Sequence, residues 1–205
     1  MLMFWEHLVI LLIIDKVTFI YMEFVCMNRV VQGYNVIAKV NHWLSAVIII
    51  GLFAVGLWMV DLSYYSAWYQ DAPHWHKSVG LLLALYTIFR VTWRLLTRSP
   101  EIEGTGFEKF AANIAHFLMY ALLFGIFISG YLISTSDGRG IDIFDWYTVP
   151  SLGALFEDQS DIAGWLHYYF ACTLIGLASL HAIAALKHHF VNKDNTLRKM
   201  TGAIK

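Results

Sequence analysis

Charge is scarce in this chain. Only 14% of the 205 residues are Asp, Glu, Lys or Arg, whereas 59% are hydrophobic and the mean hydropathy is positive at +0.58. Such a composition is too apolar for an ordinary soluble domain. Cysteine is scarcer still. The two present, Cys26 and Cys172, are far apart in sequence, so no disulfide framework, CxxC redox pair or CxxCH site for covalent c-type haem exists. The net charge of −1 and the lack of a basic stretch interleaved with aromatics exclude nucleic acid as a partner. No nucleophile with an adjacent base and no glycine-rich phosphate loop stands out. Repeats and low-complexity tracts are absent as well.

What the chain does have is long apolar runs. A hydrocarbon core of about 30 Å needs roughly 20 apolar residues per helix, and windows at 40–60, 76–96, 111–135 and 162–188 meet that length. The expected fold is therefore all-α, a transmembrane four-helix bundle with short loops and one longer periplasmic loop. Basic residues next to spans mark the cytoplasmic side. Arg29, Lys39, Arg90, Arg94, Arg98, Lys109, Lys187, Lys193, Arg198, Lys199 and Lys205 gather at one end of the spans. The other end has only Lys77 and Arg139 against Asp61, Asp71, Asp137, Asp142, Asp145, Glu157, Asp158 and Asp161. Both termini are thus expected in the cytoplasm, in a chain that crosses the membrane several times.

Three regions divide the chain on this reading: an N-terminal extension at 1–33, the membrane domain at 34–200 and a cytoplasmic tail at 201–205. The run LVILLII at 8–14 resembles a signal-peptide core, but Glu6 spoils a basic flank and no small-residue cleavage site follows. Asp15–Lys16 ends the run early, so a fifth span is disfavoured; the segment reads instead as an interfacial amphipathic helix, or as an extension upstream of a start at Met22 or Met27. The long connection 135–160 is expected to fold partly onto the membrane surface or over a site, through IFDWY or SLGALFE. Pro73 is expected just ahead of the second span and His74 in the preceding loop.

Nine histidines are present, and their depths in the bilayer are informative. Alternating the spans puts His42 and His116 at cytoplasmic helix starts, and His76 and His167 at periplasmic ones. His181 follows His167 by fourteen positions, about 21 Å along an α-helix and within roughly 40° of the same face. One helix thus presents two imidazoles, one per leaflet. Each meets a counterpart at its own height: His167 with His76, and His181 with His42.

A lone histidine at a helix end is usually an interfacial polar residue. Ionisable groups inside a bilayer are nonetheless rare and usually functional, and two height-matched pairs suit two six-coordinate haems of the b type, the irons held by His42, His181, His76 and His167. A zinc site would instead want four ligands converging on one point. Gly80, Gly176, Gly51, Gly125 and Gly130 are small residues that would leave room for a flat macrocycle. Arg90, Arg94 and Arg98 recur every four residues on one face and are expected to snorkel to the inner headgroups; Arg90, the deepest, has a second reading as a partner for a haem propionate. His116 has two readings, a lining of the inner cavity or an interfacial side chain.

The stretches NHW at 41–43, WHKSVG at 75–80, AHFLMY at 115–120 and HHFVNKDNTL at 188–197, with the pair His167 and His181, resemble the bacterial cytochrome b561 family from about Tyr34 to Met200. KDNTL after the double histidine favours its superoxide-oxidase branch over the related cytochrome subunits of hydrogenases and formate dehydrogenases. The resemblance implies an inner haem on His42 and His181, an outer haem on His76 and His167, and ubiquinone near His188. The expected activity is that of a superoxide:quinone oxidoreductase, with Lys77 and Arg139 as the cations that would attract an anionic donor. The alternative is a cytochrome b anchor relaying electrons between a partner dehydrogenase or hydrogenase and the quinone pool.

Overall fold

The computed structural model describes residues 33–202. The expectations for residues 1–27 lie outside the described residues. Four long helices dominate: α1 (Val36–Val60), α2 (Asp71–Leu96), α3 (Gly106–Thr135) and α4 (Gln159–Lys187). Each has the length and apolar content to cross a membrane. Large apolar side chains such as Val47, Leu85, Phe117, Ile128, Leu180 and Ile183 face outward. That pattern belongs to a bundle whose solvent is lipid.

Helix starts follow their local chemistry. Asn35 caps α1, its side-chain oxygen accepting the Ala38 N–H at 2.7 Å. Thr105 and Glu108 form a reciprocal capping box at the start of α3. The second helix begins at Asp71, earlier than the apolar window suggests, so Pro73 lies in its first turn, where its missing N–H costs nothing. His74 is accordingly helical rather than part of a loop, and its ring meets the edge of Phe144.

The bundle is built from two antiparallel helical hairpins. The first pairs α1 with α2 and the second pairs α3 with α4; contact between α2 and α3 is slighter. Buried hydroxyls hold their own helix backbones: Ser45 donates to Asn41 O, Thr87 to Leu83 O and Thr135 to Tyr131 O. In lipid every polar group has to find an internal partner, and these do.

The long connection is not wholly irregular. It contains a short antiparallel hairpin, β1 (Ile141–Ile143) and β2 (Tyr147–Val149), with Ile141 opposite Val149. Thus IFDWY forms the turn and flanking strands, while SLGALFE stays irregular. Ser78 on α2 anchors the hairpin by donating to Asp142 O and accepting the Phe144 N–H, both at 3.1 Å. Buried Gln159 ties the rest of the loop to α3, donating to Leu132 O while accepting from Leu155 N–H.

At the opposite end the chain closes on itself. A single π-helical turn, His188–Asn192, follows α4, and a short α5 (Arg198–Thr201) comes after it. Tyr34 N–H donates to Lys199 O, and the Lys39 ammonium to Gly202 O at 2.7 Å. Both described chain ends therefore lie at one end of the bundle, which we call the terminal end; the other is the hairpin end.

Candidate functional site: two tiers of histidines

At the hairpin end, His76 on α2 and His167 on α4 face one another across the two helical hairpins, with ring centres 6.3 Å apart. Each leans on a glycine of the helix with which its own helix pairs. A methyl at Gly56 on α1 would stand 3.3 Å from His76 Cε1, and one at Gly130 on α3 would stand 3.1 Å from His167 Cε1. Of the glycines singled out from sequence, Gly130 has this role, Gly125 admits Phe170 instead, and Gly51, Gly80 and Gly176 have open space beside them. Gly56 escaped the sequence reading. Its pairing with His76 depends on how α1 and α2 are rotated.

Hydrogen bonds fix the orientation of the His167 ring. Its Nδ1 lies 3.0 Å from Ile126 O, a carbonyl that can only accept, so Nδ1 carries the proton and Nε2 keeps a free lone pair. Ser129 Oγ lies 3.3 Å from the same Nδ1 while donating its own proton to Gly125 O. An imidazole held through one nitrogen by a backbone carbonyl is the arrangement that readies the other for a metal. His76 Nδ1, by contrast, is buried without a hydrogen-bond partner, and an orphaned buried nitrogen is costly unless the ring serves a bound group.

The donors fit a haem iron. Metal–imidazole bonds of about 2.0 Å on opposite sides of one metal place the ring centres roughly 6 Å apart, close to the separation of His76 and His167. Among the described residues no three His, Cys, Asp or Glu side chains converge as a cage for a metal ion. At the hairpin end the bundle offers a facing pair of imidazoles.

The terminal-end tier contains three imidazoles. His116 on α3 meets His181 on α4 with ring centres 5.1 Å apart, and its Nδ1 is buried and unpaired. His116 thus points into the bundle beside His181 rather than out toward the interface. His42 lies near enough to both for their charges to interact. Arg90 turns onto it, with Nη2 3.3 Å from His42 Nδ1, and lies with Arg94 over the ring of Tyr120, at 5.6 and 5.8 Å. Arg90, half-buried, thus turns inward toward His42, whereas Arg94 is exposed beside the Tyr120 ring. A guanidinium can only donate, so in this contact His42 Nδ1 accepts and Nε2 holds the proton.

Beyond His181 the sequence HHFVNKDNTL folds into the π-helical turn and a tight return. His188 is buried, and its Nδ1 is hydrogen-bonded to the Asp194 carboxylate, with the Asn192 amide 3.2 Å from the same atom. Its Nε2 stands 3.9 Å from Glu108 Oε1, beyond hydrogen-bonding reach. Glu108 is itself paired with Lys187 at 2.8 Å. Burial pushes the Asp194 carboxyl up, but the hydrogen bonds from His188 and from Thr196 N–H outweigh it and hold the group below the usual carboxylate range. Sequence reading singled out His188 but not Asp194 or Glu108, whose approach depends on the turn and on the placement of α3.

At the hairpin end Lys77 is exposed next to His76. Arg139 forms a two-point ion pair with Asp137, 2.5 and 2.7 Å, that leaves little charge to project.

Comparisons with known proteins agree with this architecture. The family profile described as prokaryotic cytochrome b561 matches residues 33–203. The chain is 47% identical over 173 residues to cytochrome b561 homolog 2 of Escherichia coli (strain K12), covering 83% of this chain and 92% of that protein. It is 28% identical over 162 residues to a probable superoxide oxidase, CybB, of Yersinia pestis, covering 78% and 90%. Cytochrome b561 homolog 1 of Escherichia coli (strain K12) matches at 24% over 127 residues, 61% and 72% of the two chains. With four membrane-length helices and histidines in two tiers between them, the chain belongs to the prokaryotic cytochrome b561 family of membrane electron-transfer proteins.

Proposed function

We propose that this protein is a di-haem b cytochrome of the bacterial inner membrane that takes electrons one at a time at the hairpin end and delivers them in pairs to ubiquinone at the terminal end. The observation that carries the reading is the pair of His76 and His167 opposed across the bundle, each backed by a glycine and with ring centres at a distance suited to one bis-imidazole iron. His76 and His167 hold the outer haem; His42 and His181 hold the inner one, about 21 Å along α4 from the first. When bound, each haem supplies a one-electron iron couple.

The surrounding residues have separable tasks. Ile126 O keeps the proton of His167 on Nδ1, so that Nε2 is the coordinating atom. A neutral imidazole has one lone pair, so His42 can ligate through Nε2 only when its proton moves to Nδ1 and Arg90 releases that nitrogen. The freed guanidinium is then suited to pairing with a propionate. His188 lies at the terminal end, where a quinone carbonyl would meet it. The positive-inside distribution of Lys and Arg argues for the terminal end, with both described chain ends, on the cytoplasmic side.

Superoxide is the donor this reading favours. Two superoxide anions, one quinone and two protons give two O2 and one quinol, which balances electrons and charge. With Arg139 neutralised by Asp137, Lys77 is the cation left to attract the anion. The test is superoxide-driven haem reduction in purified protein across ionic strength. The expected result is a rate above the uncatalysed background that falls as salt rises; a rate equal to background removes superoxide.

A second reading is an anchor that relays electrons between a partner dehydrogenase or hydrogenase and the quinone pool. The acidic hairpin end, with its paired Arg139, favours a positively charged protein over an anionic small molecule there. A redox subunit that co-purifies would support it, and autonomous turnover would exclude it.

A further inference from the structure

The quinone reading leaves open how a proton enters at the terminal end, and the packing around His188 bears on it. Three separate chain segments converge on this one ring: the start of α3 through Glu108, the π-helical turn through Asn192, and the return through Asp194. The turn wraps closely because Lys193 takes the left-handed conformation, φ 58°, which is uncommon for a residue with a side chain. Lys193 and Asp194 N–H groups both donate to His188 O. The return is then tied to the α2–α3 loop: Asn195 N–H donates to Glu103 Oε2, and the Lys199 ammonium bonds Glu103 Oε1 at 2.6 Å and Glu101 O at 2.8 Å. The backbone and the ring of His188 are thus gripped by the same few residues, and π-helical turns of this kind recur at functional sites.

The geometry points to Asp194 as a positioning residue for proton transfer at the quinone site, an inference that rests on the quinone reading above. By accepting from Nδ1–H, Asp194 fixes which nitrogen of His188 is open, and that atom is Nε2. Nε2 has no hydrogen bond to Glu108, which is committed instead to Lys187 and to its own helix cap. Nε2, which carries a lone pair in the neutral ring, is therefore available to take a proton from a quinol hydroxyl; in the direction of quinone reduction it first takes a proton from water at the terminal end and then, as the imidazolium, gives it to a quinone carbonyl oxygen. Oxidation of a quinol to quinone releases two electrons, which two bound ferric haems would accept, and two protons, which would pass one after the other through Nε2 to water at the terminal end. Lys187 and Glu108 complete the charged groups facing the ring. Gly104, at φ 107°, gives the loop room here, since a methyl there would lie 3.1 Å from His188 Cε1 and 2.7 Å from Glu108 Oε2.

The test uses the purified haem-loaded protein in detergent with decylubiquinol as reductant, following haem reduction by visible absorbance from pH 5.5 to 8.5. Asp194→Asn keeps the size of the side chain but admits the opposite tautomer. It is expected to lower the maximal rate about 10- to 100-fold with little change in KM, and to alter the pH profile while haem content stays at the wild-type level. Asp194→Glu is expected to restore a profile of wild-type shape. The inference is overturned if His188→Gln abolishes quinol oxidation while Asp194→Asn keeps the wild-type rate and profile. It is equally overturned if both Asp194 variants lose rate only in proportion to lost thermal stability, with the profile unmoved. Equal rates in wild type and His188→Gln would remove the quinone reading itself, and this inference with it.

Discussion

His76 and His167 approach to 6.3 Å between ring centres, and each ring lies so near a glycine that a side chain there would crowd it. One brace comes from each helical hairpin: Gly56 for His76 and Gly130 for His167. The pair therefore records the packing of all four helices at once.

Gly130→Leu is expected to push His167 aside and remove the outer haem. The side chain would begin 3.1 Å from His167 Cε1, so the ring held by Ile126 O would have to give way, and the added leucine atoms increase the crowding. Haem per protein should fall by about half, read from a pyridine haemochrome assay. Gly51→Leu is the control, since open space lies beside it, and should keep its full haem content.

Replacing His42 or His181 by Ala should remove the inner haem and spare the outer one, and His76→Ala the reverse. Haem content and the reduced-minus-oxidised spectrum distinguish the two classes. His116→Ala tests the third imidazole of the inner tier. Although its ring lies 5.1 Å from His181, the proposed ligands predict that both haems persist. Loss of the inner haem in that variant would transfer the ligand role from His42 to His116.

Ser78→Ala should release the β-hairpin from α2. The hydroxyl is fully buried and bonded to two backbone groups of the hairpin, so its loss leaves both unpaired, at a cost of about 1–3 kcal/mol. Faster proteolysis within 141–149 at unchanged haem content is the expected outcome.

Acid should loosen the terminal-end clamp. The Lys199 ammonium, followed by the Asn195 N–H, holds the Glu103 carboxyl below the usual carboxylate range. A carboxyl whose folded pKa is depressed adds stability that is present above its unfolded value and lost as pH falls through the folded one. For a partly exposed pair at the surface the effect is about 1 kcal/mol or less. Exchange at the Asn195 amide, corrected for intrinsic rates, should therefore accelerate below about pH 4 in wild type. In Glu103→Gln it should already be faster at neutral pH and show a weaker dependence.

Much of the fold was legible in sequence because its signals are local. The length of each apolar run against bilayer thickness specified four spans, and the helical rise gave each histidine a depth. His76 with His167 was predicted from height alone, and the two rings do meet. Helix ends were less legible: α2 begins at Asp71 because its first turn is polar, and a hydropathy window does not count such residues.

The sequence by itself determined the four membrane-length helices, the alternation of their directions and the two depths at which imidazoles occur. Only the tertiary structure decided that Gly56 and Gly130 brace the outer pair, that His116 joins His181, that Arg90 turns onto His42, and that Asp194 grips His188. The physical reason is that rise and period are properties of a single helix. Which side chains touch across a bundle depends on the rotation and stagger of each helix against the others, and those are fixed only when all four pack together.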